Sequence, residues 1–284
     1  MARDLLPPVP PRDEEAAVLT HTSIAPDHYC LRIQAPYIAD HAQPGQFVQV
    51  RVAKGFDPFL RRPLSMSMAD PREGWIELVY RVVGHGTATL SRRAVAETVS
   101  VLGPLGRAFR LPETGTVVLV GGGRGMPPLH FAAHRLPPQR TLVVQGARTA
   151  SLLLYEREFE ALGVARHWTT EDGTAGLRGL VTDALSTVLD SLGEPAEILS
   201  CGPMPMMAAV AQIARERRLP CQVSVEERMA CGFGICMGCA VKLSARGPSS
   251  PEYALVCLDG PVFDARDIFS ASARGSGASA STAR

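Results

Sequence analysis

Cys231, Cys236 and Cys239 lie within nine residues of one another, and Cys257 follows after seventeen intervening residues. Thiolates are soft ligands that suit iron–sulfur clusters and zinc. Zinc sites favour cysteine pairs separated by two residues, two such pairs together gripping one tetrahedral ion. A four-residue gap followed by a two-residue gap instead wraps one loop around a two-iron cluster, the fourth thiolate arriving from a second loop. Gly232, Gly234 and Gly238 stand between these ligands. Lacking side chains, they let backbone N–H groups approach the sulfurs, and such hydrogen bonds tune a reduction potential. The pattern points to one-electron chemistry at a [2Fe–2S] centre, with a zinc loop and a set of buried free thiols as the alternatives. Cys30, Cys201 and Cys221 have no partner spacing and read as small core residues.

Phosphate binding is the second chemistry on offer. Gly121-Gly122-Gly123-Arg124-Gly125-Met126-Pro127-Pro128 follows an apolar run and precedes a helical one. Backbone in such a turn can approach a pyrophosphate, and the helix N-terminus adds N–H donors. The G-x-G-x-x-G fingerprint fails, because its third glycine falls on Met126; a purely structural tight turn is the competing reading. Cys201-Gly202-Pro203 makes a second turn of this kind. Two turns at the carboxyl ends of strands in one parallel sheet would line a single crevice. Upstream, Arg61-Arg62-Pro63-Leu64-Ser65 sets two guanidiniums beside a strand, where their forks match phosphate oxygens. Taken alone, two arginines are more often a solvated basic turn. Gly84-His85-Gly86-Thr87 offers a further phosphate seat at a helix start, with His85 read as structural.

These residues need elements to hold them. Residues 17–22, 29–34, 46–52, 63–68, 75–83 and 98–102 read as short strands separated by Pro/Gly turns, with a helix at 87–93. Ile76, Leu78, Tyr80 and Val82 alternate with polar neighbours, the period of a half-buried antiparallel strand. Six such strands predict a small closed barrel. From residue 116 the rhythm changes to strands at 116–120, 141–145, 164–168 and 197–200 alternating with helices at 128–135, 154–162, 181–192 and 205–217. That alternation predicts a doubly wound parallel sheet. Residues 223–269 are short and Gly/Cys-rich, a size that a metal centre commonly stabilises. The expected architecture is multi-domain α+β: an antiparallel six-stranded β-barrel over 14–112, an α/β doubly wound nucleotide-binding domain over 113–220, a small C-terminal [2Fe–2S] cluster domain over 221–269, and a disordered Ser/Ala/Gly tail over 270–284.

The 284 residues carry a net charge of +1 with 46% hydrophobic and 20% charged residues. Such a balance is ordinary for a globular chain and gives no footing for nucleic acid or an acidic membrane. The longest helical apolar stretch, 204–214, is far shorter than a span needs. The Pro-rich start lacks the basic-then-apolar order of a secretory leader, so a cytoplasmic location is expected.

Taken in order, these motifs resemble the ferredoxin–NADP reductase superfamily, and within it the electron-transfer subunits of class 1B dihydroorotate dehydrogenases. Arg62-Pro63-Leu64-Ser65 matches that family's flavin strand, and Val79-Tyr80-Arg81 and Gly86-Thr87 match its other FAD-contacting segments. Gly121-x-Gly123-x-Gly125-x-x-Pro128 is similar to its nicotinamide turn, and Cys201-Gly202-Pro203-x-Pro205-Met206 to a second motif of the same domain. The most specific match is Glu226-Glu227-Arg228-Met229-Ala230-Cys231-Gly232, running through Cys236-Met237-Gly238-Cys239 and completed by Cys257-x-Asp259-Gly260-Pro261-Val262-Phe263.

The resemblance implies FAD in the barrel, NAD (with NADP left open) in the α/β domain, and a two-iron cluster on Cys231, Cys236, Cys239 and Cys257. It further implies a catalytic, FMN-containing dihydroorotate dehydrogenase subunit as partner, in a heterotetramer of two plus two. By the same resemblance Ser65 would hydrogen-bond near the flavin N5, Arg62 would hold pyrophosphate, and Thr87 the phosphate or ribitol end. Arg124 departs from the small apolar residue usual in the family's turn. Leu64 stands where flavodoxin reductases often carry a ring-stacking Tyr, and the dihydroorotate subunits share an aliphatic residue there. The alternatives are the same module serving ferredoxin or a hydrogenase-type partner, and a zinc-stabilised scaffold with no redox role.

Overall fold

The computed structural model describes residues 9–192, 196–244 and 251–270; the expected tail lies largely outside them. Six antiparallel strands close a barrel in the order β1-β2-β5-β4-β3-β6. These are β1 Arg12–Ala25, β2 His28–Gln34, β3 Phe47–Arg51, β4 Arg62–Asp70, β5 Trp75–Arg81 and β6 Thr98–Leu105. Alternation decides which side chains fill it: Leu31 and Ile33 of β2, Val48 and Val50 of β3, and Ile76, Leu78 and Tyr80 of β5 share one core. The outward residues of β3 are then Phe47 and Gln49, both buried against the rest of the molecule. Helix α1, Pro36–His41, joins that barrel core through Ile38 and Ala39. Its first N–H groups are taken by the Glu14 carboxylate, at 3.2 Å from Tyr37 N and 2.9 Å from Ile38 N. Sequence reading missed this helix, because six residues are too few for a periodic signal. A second short helix, α2 His85–Leu90, begins and ends earlier than the predicted 87–93.

The second sheet runs β10-β9-β8-β7-β11-β12-β15. Its parallel strands are β7 Thr116–Gly122, β8 Thr141–Ala147, β9 Ala165–Thr170, β10 Leu177–Arg178, β11 Ala196–Cys201 and β12 Cys221–Ser224. Every residue of β7 is buried. Its side chains divide between two cores, Val118 and Val120 on one face and Val117 and Leu119 on the other. That is the signature of a central strand covered on both sides. The crossovers are α3 Met126–Ala133, α4 Glu156–Leu162, α5 Val181–Ser191 and α6 Met204–Glu216. Helix α5 buries Val181, Ala184, Leu185, Val188 and Leu189, a single stripe at helical spacing. The doubly wound class is as expected.

The cysteine-rich segment is fastened to this sheet at both ends. It leaves from β12 and returns as β15, Val262–Asp264, which pairs antiparallel with β12 before a final turn, α7 Ala265–Ile268. Between them β13 Ala240–Lys242 and β14 Tyr253–Leu255 form a small hairpin. Cys239, Ala254, Val256 and Cys257 belong to the same buried cluster as α5, α6 and Phe47 of the barrel. One continuous core therefore backs the loop, the sheet and the barrel wall.

Candidate functional site

Between β12 and β13 the chain forms a loop with little regular structure. Gly232 and Gly234 have φ of +85° and +90°, backbone that only glycine adopts without strain. The loop turns N–H groups towards sulfur: Gly234 N donates to Cys257 Sγ at 3.1 Å, Cys257 N to Cys239 Sγ at 3.4 Å, and Cys236 N to Cys231 Sγ at 3.5 Å. The thiols themselves meet as two pairs, Cys231 with Cys236 and Cys239 with Cys257. Burial opposes ionisation of Cys231, but the N–H groups of Cys236, Phe233 and Ile235 outweigh it and bring the thiol down to about 6. Burial, followed by the Cys239 thiol, pushes Cys257 up to about 12. Among the described residues no three His, Cys, Asp or Glu side chains close around a single ion. Thiols met in pairs, with N–H donors turned towards sulfur, fit a centre whose two irons each take two thiolates. Cys30, Cys201 and Cys221 lie apart from this loop, their thiols pushed up mainly by burial.

Beside the loop, the barrel wall opens into a cleft of about 830 Å³. Arg62, Pro63, Leu64 and Ser65 of β4 line it, with Val79, Tyr80 and Arg81 of β5, Thr87, and Phe47 of β3. Phe47 is directly paired with Ser65 across the two strands. Arg62 is fixed against α2, where a Cβ on Gly86 would collide with the guanidinium. Arg61 lines the same cleft, but its guanidinium is already engaged: it bonds Asp13, Ser100 and the Gln49 carbonyl, locking β1 to β6. The Thr87 hydroxyl accepts from Val83 N and Gly84 N at 3.0 and 3.3 Å and so orders its own turn. Tyr80 is stacked on Tyr29 and bonded to His21. Arg81 Nε is buried with no partner among the described residues. A guanidinium whose Nε has no protein partner among the described residues, lining a cleft of this size, suits a pyrophosphate.

A second cleft of about 780 Å³ opens where the strand order reverses between β7 and β11, the usual ligand crevice of such sheets. Gly122, Gly123, Arg124 and Gly125 form one lip and Gly202 and Pro203 the other. Gly121, Pro128 and Cys201 are buried behind these lips. The two turns meet tightly, since a Cβ on Gly125 would overlap the Cys201 carbonyl. Arg148 lies on the wall as well, as does Thr169, whose hydroxyl is buried without a partner among the described residues. The close backbone approach and the orphan hydroxyl fit a nucleotide. Arg81, Arg124 and Glu226 line both clefts. Arg124 is ion-paired to Glu226 at 3.3 Å, so the unusual turn residue ties the nucleotide lip to the start of the cysteine segment.

Residues 226–269 match the family model described as the iron-sulfur cluster binding domain of dihydroorotate dehydrogenase B, and residues 119–212 match an oxidoreductase NAD-binding domain. The dihydroorotate dehydrogenase B (NAD(+)) electron transfer subunit of Bacillus mycoides strain KBAB4 is 40% identical over 257 residues, 88% of this chain and 96% of that one. The chain belongs to this family. The subunit of the same name from Geobacillus kaustophilus strain HTA426 is also 40% identical, over 90% of this chain and 98% of its own. Among solved structures, that of the NADH-dependent reduced ferredoxin-NADP oxidoreductase is similar, with 31% identity, a TM-score of 0.79 and 90% of each chain covered. A dihydroorotate dehydrogenase B electron transfer subunit works beside a catalytic subunit. The described residues include no helix long and apolar enough to cross a membrane.

Sequence reading had not named Phe47 or Thr169 as site residues. Phe47 is an ordinary strand aromatic until its pairing to Ser65 is known. Thr169 lies one residue from the carboxyl end of β9, and the crevice rule for such sheets would have flagged it.

Proposed function

We propose that the chain receives electrons from dihydroorotate oxidation on an FMN-containing catalytic subunit, in a complex of two plus two chains, and delivers them to NAD+. The balance is dihydroorotate plus NAD+ giving orotate, NADH and a proton. When bound, the [2Fe–2S] centre supplies one-electron transfer and FAD joins single electrons to the two-electron hydride chemistry of nicotinamide. Cys231 and Cys236 would hold one iron, and Cys239 and Cys257 the other. Arg62 and Arg81 would grip the FAD pyrophosphate. Ser65 would place its hydroxyl at the flavin N5, while Thr87 keeps the α2 turn in shape. Gly122, Gly123, Gly125, Gly202 and Pro203 would let the NAD pyrophosphate approach bare backbone.

The observation that carries this reading is contiguity. Arg81, Arg124 and Glu226 are shared by both clefts, and Phe47 belongs both to the flavin cleft and to the core behind Cys239 and Cys257. The exposed apolar side chains of Ile235 and Met237 beside Cys236 support a protein partner at the loop, since clustered exposed apolar groups mark such surfaces. The test is NAD+ reduction by dihydroorotate after the chain is combined with its cognate catalytic subunit. Turnover supports the reading; its absence, with NADH-driven ferredoxin reduction instead, would assign the module to a different partner.

A further inference from the structure

Gln49 occupies the middle of β3 and is completely buried. Both its Nε2 and its Oε1 lack a hydrogen-bond partner among the described residues. Buried amides are almost always satisfied, so one with both ends open calls for an explanation. Strand alternation supplies its direction. Val48 and Val50 enter the barrel core, which sends Phe47 and Gln49 outward together. Phe47 reaches the flavin cleft. Gln49 reaches the cysteine loop: a Cβ on Gly232 would lie 2.6 Å from both Cγ and Nε2 of Gln49. Gly232 immediately follows Cys231 and holds φ of +85°. The glycine thus leaves room for the amide to press against the ligand-bearing backbone, and an amide donor there needs an acceptor that the described protein atoms do not provide.

We propose that the Gln49 amide donates an N–H hydrogen bond from the flavin barrel to the sulfur atoms of the two-iron centre on the Cys231 loop. The inference rests on the reading of that loop as a [2Fe–2S] site. Reduction adds negative charge to the cluster, and a donor to its sulfur stabilises the reduced form and raises its potential. By touching the centre directly, Gln49 tunes it from the side on which the flavin binds.

The test compares wild-type, Gln49→Leu and Gln49→Glu chains, each purified without oxygen in complex with the catalytic subunit. Visible absorbance reports flavin and cluster loading, an EPR-monitored titration reports the cluster potential, and pulsed EPR in H2O and D2O reports exchangeable protons near the reduced cluster. The proposal expects Gln49→Leu to keep wild-type loading, to shift the cluster to lower potential, and to lose one exchangeable-proton coupling. A loaded Gln49→Leu complex with unchanged potential and coupling overturns it. If the leucine variant does not load, the near-isosteric Gln49→Glu decides by the same two measurements. Wild-type complex with no cluster signal would instead overturn the iron–sulfur reading itself.

Discussion

A methyl group on Gly125 would collide with the Cys201 carbonyl oxygen, so Gly125→Ala should force the two nucleotide-binding turns apart. A shift of about 1 Å in a binding frame can cost ~100-fold. The expected outcome is a KM for NADH raised roughly ten- to hundredfold in ferricyanide reduction, with flavin and cluster absorbance unchanged. Cysteine substitutions should divide just as sharply. Cys257→Ser removes the thiol that accepts from Gly234 N at 3.1 Å and should abolish the cluster absorbance while the flavin band persists. Cys30→Ser, at a half-buried thiol pushed up to about 12 mainly by that burial, should leave both spectra in place. The cysteine motif was legible in sequence because ligand spacing is written directly into the chain. The arginine pair was not. Arg61 and Arg62 are neighbours of one type, and only the folded barrel reveals that the Arg61 guanidinium locks β1 to β6 while that of Arg62 lies over the α2 turn at Gly86.

Helix α3 is the element that joins the barrel to the nucleotide domain, and it carries a titratable weak point. All eight of its residues are buried, Phe131 within the barrel core. His130 Nδ1 donates to the Ser67 carbonyl on β4 at 2.9 Å, and its Nε2 lies 3.2 Å from His134 Nε2. The ring also stacks on Tyr155 at 4.1 Å. Burial, reinforced by His134, lowers His130 to about 4. A histidine that is harder to protonate in the folded state contributes stability that is intact above its unfolded value, near 6.5, and is lost as the pH falls towards 4. The expected loss across that window is up to about 3 kcal/mol. Thermal unfolding followed between pH 7 and 4 should show it, and His130→Gln should flatten the curve apart from the smaller share of His134. At this scale the long periodic elements were readable, α5 and β7 above all. Helix α1 was not, because its cap comes from Glu14, more than twenty residues upstream, a contact that no local pattern encodes.

At the scale of the whole molecule, the two clefts share Arg81, Arg124 and Glu226, and the two sheets share one core with the cysteine loop. Sequence motifs gave each site singly. Their adjacency needed the fold, since residues near 47, 81, 124 and 226 come together only through the barrel closure and the β12–β15 pairing. Charge placed on the apolar rim should uncouple the subunit from its partner without harming its centres. Ile235→Glu combined with Met237→Glu should weaken association with the catalytic subunit by at least roughly tenfold, since buried interface anchors cost more than 1 kcal/mol when lost; sedimentation of the mixed chains would measure this, with cluster absorbance as the control. The most direct test of the central claim is EPR of the anaerobically purified chain after reduction by NADH. The account predicts bound flavin and a rhombic two-iron signal of about one unpaired spin per chain. Stoichiometric zinc, with no such signal and no flavin, would contradict it.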